Sequence, residues 1–232
     1  MKIGIFTDSH YSSQEITCGI RRNSESLRKI KEAYKFFKKE TCDLVISLGD
    51  LIDIEDDHNK EINNLKQISE VIRQSDIPTI CVMGNHDGFA FEAEEFYQIL
   101  GENCRPETIT DNKTNLVFID ACYFENGEHY YPGDFDWKDT YYPLTKELKT
   151  ELDSLSGEIY IFIHQNIDPE ICESHCLKND EEVRSILEKC GKVKTVYQGH
   201  YHNGNKNTHN GINYFTYPAM CEDENRYYVL EV

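Results

Sequence analysis

The residues able to do chemistry fall into five short clusters: Asp8 with His10; Asp50 and Asp53 after Gly49; Asn85, His86 and Asp87 after Gly84; His164; and His200 with His202 after Gly199. Carboxylate and amide oxygens together with imidazole nitrogens form a donor set suited to Mn, Fe, Zn or related divalent ions. In an extended segment, residues i and i+2 point to the same side, so the Asp8/His10 and His200/His202 pairs each present two donors to one region. A lone histidine after a strand is ordinarily a hydrogen-bonded structural residue. Five clusters in sequence, each at the end of an apolar run, are better explained as one site.

The apolar runs are rich in Val, Ile and Phe and occupy residues 2–7, 43–48, 79–83, 116–120, 159–163 and 193–198. They read as buried strands. Amphipathic stretches at 24–40, 59–74, 144–155 and 179–190 read as helices between them. This alternation predicts an α/β fold with strands buried on both faces, and an open α/β sheet builds its site beyond the strand ends, where the clusters lie. Residues 205–210, 212–217 and 226–232 are short strands separated by Asn-Gly and polar turns, so the last quarter reads as antiparallel. Two sheets packed face to face, with helices outside, follow as the expected architecture within a single domain spanning 1–232. Gly49, Gly84 and Gly199 each precede a donor, where a residue without Cβ permits tight turns and close backbone approach.

The series Asp8-Ser9-His10, Gly49-Asp50-Leu51-Ile52-Asp53, Gly84-Asn85-His86-Asp87, His164 and Gly199-His200-Tyr201-His202 resembles the calcineurin-like metallophosphoesterases across nearly the whole chain. The stretch Arg21-Arg22-Asn23-Ser24-Glu25-Ser26-Leu27 and residues 199–222 resemble a small bacterial branch related to manganese-dependent ADP-ribose/CDP-alcohol diphosphatases. The resemblance implies a four-layer αββα sandwich of two mixed β-sheets flanked by helices. It also implies two divalent cations, Mn favoured over Fe or Zn. Asp8, His10 and His202 would hold the first, Asn85, His164 and His200 the second, and Asp50 would bridge them. His86 resembles the family's catalytic histidine and Asp53 the carboxylate that orients it, while Asp87 reads as a loop brace.

The implied activity is hydrolysis of a nucleoside-diphosphate-linked small molecule. The alternatives are a phosphomonoesterase, a cyclic-nucleotide phosphodiesterase, or a non-catalytic metal-binding scaffold. Arg21 and Arg22 read either as a clamp for a distal phosphate or as a solvated helix entry. Gln165 and Asn166 after His164 depart from the small or proline-containing residues of many relatives, which bears on substrate choice.

Residues 122–143 form a long irregular segment holding the single tryptophan, Trp137. It reads either as a wall or lid over the site or as a loop packed on the core through Tyr130, Tyr131 and Trp137. His58, His129, His175 and His209 lie in polar segments and are expected at the surface. The nine cysteines are scattered singly, so reduced thiols are expected rather than a disulfide framework. Cys172 and Cys176, with His175 between them, lack the second ligand pair of a zinc finger.

A formal net charge of −18 repels a nucleic-acid backbone, so a small phosphorylated, nucleotide-derived substrate is expected instead. Divalent cations would reverse the local potential and admit that anion. The N-terminal run carries no signal-peptide pattern and no stretch is long and apolar enough to span a membrane, so a cytoplasmic location is expected.

Overall fold

The computed structural model describes residues 1–133 and 136–232. Asp134 and Phe135, inside the long 122–143 segment, lie outside the described residues, and so does the reading of that part of the segment. In chain order the elements are β1 (Lys2–Phe6), α1 (Ser26–Lys39), β2 (Leu44–Ser47), α2 (His58–Ser75), β3 (Thr79–Cys81), α3 (Asn85–Ala90), α4 (Ala93–Leu100), β4 (Ile109–Asp111), β5 (Thr114–Ile119), α5 (Thr145–Ser154), β6 (Glu158–Ile163), α6 (Asp180–Cys190), β7 (Val193–Gln198), β8 (Asn205–His209), β9 (Ile212–Thr216) and β10 (Tyr228–Glu231). Among the described residues no helix is long and apolar enough to cross a membrane.

Two mixed sheets result, with strand orders β10-β1-β2-β3 and β4-β5-β6-β7-β9-β8. The central strands are continuously apolar because both faces are covered. Ile3 and Ile5 of β1 and Leu44 and Ile46 of β2 point to the layer between the sheets, where they share a cluster with Leu116, Phe162 and Tyr197. Phe6 and Val45 point the other way, into the layer beneath α1, α2 and α4. On the second sheet, Ile161 and Ile163 face α5 and α6 through Leu148, Leu152, Val183 and Leu187. Helices, sheet, sheet, helices is thus the layer order, as the sequence predicts.

The last quarter differs from its antiparallel reading. The Asn210-Gly211 turn has φ of 48° and 83°, the geometry of a tight hairpin, and it does pair β8 with β9 in antiparallel fashion. β9, however, lies parallel to β7, while β10 leaves for the other sheet and pairs with β1. β8 thus lies at the outer edge and β9 inside it, and the buried Asp168 carboxylate tethers β8 by accepting from Asn205 (3.0 Å) and Asn207 (2.9 Å). The consequence for the site is that the chain carrying His200 and His202 leaves β7 and must pass the end of β9 to reach β8 before turning back.

Candidate functional site

The five clusters converge on one end of both sheets. Their loops are fastened to each other by the backbone: Asp8 N–H donates to Gly49 O (3.0 Å), His10 N–H to Asp50 O (2.9 Å), Gly199 N–H to His164 O (3.0 Å) and Cys221 N–H to Asp8 O (3.0 Å). Asp8, His10, Asp50 and His200 all take left-handed backbone conformations, with φ of 53°, 43°, 52° and 64°, a region non-glycine residues seldom occupy. Side chains that would otherwise alternate along a strand are thereby turned toward a common centre.

Donor atoms crowd together there. His10 Nε2 lies 3.2 Å from His202 Nε2, and Asp8 Oδ1 lies 3.3 Å from the latter and 3.6 Å from the former. Asp50 Oδ2 stands between this group and the next, 3.5 Å from His10 Nε2 and 3.2 Å from His164 Nε2. Asp50, His164 and His200 bring donor atoms within 4.8 Å of one another. Asp8 Oδ1, Asn85 Oδ1 and His164 Nε2 are buried with no aligned hydrogen-bond partner. Buried polar atoms left in this way are costly unless a further ligand satisfies them, and oxygen and imidazole donors facing one another at these distances fit divalent cations.

In Asp8, Asp50, His164 and His202 the side-chain atom turned away from the centre is itself hydrogen-bonded, which fixes the direction of the other. Thr7 Oγ1 and the His200 N–H donate to Asp8 Oδ2 (2.5 and 3.0 Å), and the His86 N–H donates to Asp50 Oδ1 (2.8 Å). His164 Nδ1 donates to Leu48 O (2.7 Å), and His202 Nδ1 lies 2.5 Å from Glu222 Oε1. The glycines are required by close approach: a Cβ on Gly84 would sit 2.2 Å from Asp50 Oδ1, and one on Gly199 would sit 2.1 Å from Thr7 Oγ1.

The protonation preferences divide the imidazoles. Burial, reinforced by His86, pulls His10 down to about 4, and burial also holds His200 well below its ordinary value, so both offer lone pairs near neutrality. Burial opposes charge on His164 and His202 too, but Asp50 outweighs it at the first and Asp8 with Glu222 at the second, pushing each up to about 9. Burial opposes ionisation of Asp8 and Asp50 as well, yet the surrounding imidazoles hold both well below the usual carboxylate range.

Beside this centre, His86 Nδ1 lies 2.7 Å from Asp53 Oδ1, and Arg21 Nη1 lies 3.5 Å from His86 Nε2 and 3.7 Å from Asp53 Oδ2. Asp53 Oδ2 also accepts from Asn23 Nδ2 (2.8 Å) and Thr17 Oγ1 (3.0 Å). Asp87 braces the loops, accepting from the N–H groups of Leu51 (3.0 Å), Ile52 (3.3 Å) and Gly84 (3.0 Å). Burial and the neighbouring Asp50 charge push its carboxyl up to about 7.

The two arginines separate. Arg21 lines the cavity, whereas Arg22 is exposed and contributes its backbone N–H to Cys221 O (2.9 Å). Of the two readings of Arg22, its exposure and its absence from the cavity lining favour the solvated helix entry.

His175, expected at the surface, is corrected. It is half-buried, its ring centre 5.4 Å from that of His200 and 5.0 Å from that of Trp137, and it lines the cavity with both. His129 is half-buried as well, bound to Asp120 (2.9 Å), and His209 is partly covered, whereas His58 is exposed. The 122–143 segment is both wall and packed loop, since Tyr130 is buried and Trp137 stands over His200, 5.3 Å between ring centres. Sequence reading missed Glu222, Asn23, Thr17 and Cys221; the last brings its sulfur into a donor group with His10 and His202.

A fold of two mixed sheets with this convergence of donors at the strand ends defines a class. The chain belongs to the calcineurin-like phosphoesterase family, whose pattern matches residues 1–204. It is thus a metal-dependent phosphoesterase of a family that uses a dimetal centre. It is 23% identical over 218 residues to a probable cyclic nucleotide phosphodiesterase of Fibrobacter succinogenes, covering 87% of this chain and 73% of that one. A protein of the same description from Psychrobacter arcticus is 24% identical over 228 residues, covering 93% and 74%. Among solved structures, a dimetal phosphatase from Danio rerio shares the fold with a TM-score of 0.76 at 18% identity, covering 96% of this chain and 88% of that one.

Proposed function

We propose that the chain hydrolyses a phosphorus–oxygen ester or anhydride bond of a small nucleotide-derived substrate, with Asp8, His10, Asp50, Asn85, His164, His200 and His202 as the ligands of two divalent cations. The observation that carries this reading is the crowding of the Asp8, His10, Asp50, His164 and His202 donor atoms through contacts of 3.2–3.6 Å, beside buried atoms of Asp8, Asn85 and His164 that have no aligned hydrogen-bond partner. Two bound cations would supply Lewis acidity toward the phosphoryl oxygens and an activated water.

The chain's own part is positional. Asp50, its second oxygen held by the His86 N–H, presents one oxygen to both ligand groups. His86, with Nδ1–H donated to Asp53, turns Nε2 to the cavity and can pass a proton to the departing oxygen. Asn23 and Thr17 hold Asp53, and so hold the ring.

A cyclic nucleotide phosphodiester is the first reading of the substrate, supported by the descriptions of the two bacterial relatives. The diphosphate linkage of an ADP-ribose or CDP-alcohol type molecule is the second. Arg21 favours it, because its guanidinium lines the cavity beside His86 and can grip a further phosphate.

The deciding experiment offers cyclic AMP, ADP-ribose, CDP-choline and an aryl phosphate to the purified protein with Mn²⁺, with an added phosphatase revealing diphosphatase products. Preferred cleavage of cyclic AMP supports the first reading, and preferred cleavage of the diphosphates supports the second. Silence with every substrate across Mn²⁺, Zn²⁺ and Fe²⁺ would return the chain to a non-catalytic metal-binding protein.

A further inference from the structure

The cavity over the donors has a volume of about 580 Å³, within the range of small-ligand pockets, and its two sides differ in character. One side carries Asp50, Asn85, His86, His200, His202 and Arg21. The other is built of rings: Trp137 and His175 have centres 5.0 Å apart at 58°, and Tyr201 meets His175 edge-on at 5.1 Å. The His200 ring joins the two sides, 5.3 Å from Trp137 and 5.4 Å from His175.

Neither Trp137 nor His175 is fully covered, so ring surface remains in the cavity directly beside the phosphate chemistry. Asn203, which is exposed and also lines the cavity, brings amide groups able to meet a polar ring edge. Lys138, also exposed, holds its ammonium 5.4 Å from the indole centre, on a flexible chain that a flat ligand can displace. His175 is itself held, its Nδ1 lying 2.8 Å from Cys172 Sγ.

We propose that Trp137 and His175 form a stacking subsite for the nucleobase of the substrate, so that recognition of a flat heteroaromatic ring, and not only of its phosphate, sets which phosphates are cleaved. This deepens the functional reading above and rests on it for the nature of the substrate. The physical basis is that an aromatic face accepts any base by stacking, without needing a particular hydrogen-bond pattern.

The chain supplies its own reporter, because Trp137 is its single tryptophan. Emission is recorded with excitation at the red edge of the indole band, where adenine does not absorb, during titration of the Mg²⁺-supplemented protein with AMP, ribose 5-phosphate or inorganic phosphate. Saturable quenching by AMP, absent with the other two at equal concentration, is the expected result. His175→Ala should weaken the AMP response on the order of tenfold.

Equal quenching by AMP and ribose 5-phosphate, or none by AMP, overturns the subsite. Because this readout needs no turnover, it stands even if the hydrolytic reading fails. Where turnover is found, Trp137→Ala should raise KM for the nucleotide on the order of tenfold with kcat little changed, and should leave KM for glycerol phosphate unaltered. A fall in kcat alone would assign Trp137 to supporting His200 instead.

Discussion

Asp53 gives one carboxylate oxygen to His86 Nδ1 and the other to Asn23 and Thr17, so the imidazole is aimed by a carboxylate that is itself clamped from the opposite side. His86 stands against the donors, with a ring nitrogen within 4.8 Å of donor atoms of His10 and Asp50, but its Nδ1 is committed to Asp53. His86→Ala is expected to lower kcat by roughly 10²–10⁴-fold while bound metal, measured by elemental analysis, stays at the wild-type level. Asp50→Ala should lose both, and turnover persisting in a metal-free Asp50→Ala protein would falsify the metal-centred reading.

Glu222 approaches His202 from twenty residues further along the chain, in the place where a carboxylate fixes the tautomer of a metal-binding imidazole. Glu222→Gln keeps the shape and removes the charge. It should weaken Mn²⁺ binding at one of two sites by about 10–100-fold, read by calorimetric titration as one weakened step and one unchanged step. Two unchanged steps would show that the carboxylate is incidental.

Gly84 tests the closeness of the loops. Its added methyl would stand 2.5 Å from the Asp50 N and 2.2 Å from Asp50 Oδ1, and neither backbone nor ligand can retreat without moving the centre. Gly84→Ala should lower stability by about 1–3 kcal/mol and reduce metal content together. Gly127→Ala is the control, since nothing lies within 4 Å of that position; its φ of 85° adds backbone strain but leaves metal content unaffected.

His129 and Asp120 give a pH dependence away from the donors. Burial opposes the charged imidazole, but the Asp120 hydrogen bond and charge outweigh it and raise His129 above its ordinary 6.5. A raised histidine contributes stability that is fully present below the unfolded value and disappears as pH rises through the folded one. The difference in melting temperature between wild type and His129→Gln should therefore be largest below about 6.5 and shrink on the alkaline side. A difference constant with pH would mean the pair contributes packing only.

The donor clusters could be read from sequence because each is local: a strand ends, and the next few residues must be Asp, His or Asn at fixed spacing. The layer order was equally legible, since Ile3, Ile5, Leu44 and Ile46 belong to strands apolar on both faces. What escaped was set by contacts between distant segments. Glu222, Asn23 and Thr17 are ordinary polar residues until folding lays them beside His202 and Asp53.

His175 sits in a polar stretch without periodicity, and only the ring of His200 above it reveals its place. α3 and α4, of six and eight residues, are too short for a helical pattern to emerge, and the first is written over by the Gly84–Asp87 motif. The parallel pairing of β9 with β7 and the long-range bonds from Asp168 to Asn205 and Asn207 on β8 are likewise contacts that no hairpin rule contains.

The four left-handed backbones at Asp8, His10, Asp50 and His200 also bear on what selection can do with this fold. Strained positions of this kind cost on the order of 1–3 kcal/mol each, a load that the three apolar layers must offset. Glycine would relieve the strain at any of them and abolish a donor in the same step. Stability gained by glycine at any of these places would therefore come at the expense of the site, which sets endurance and ligand geometry against each other at the same four positions.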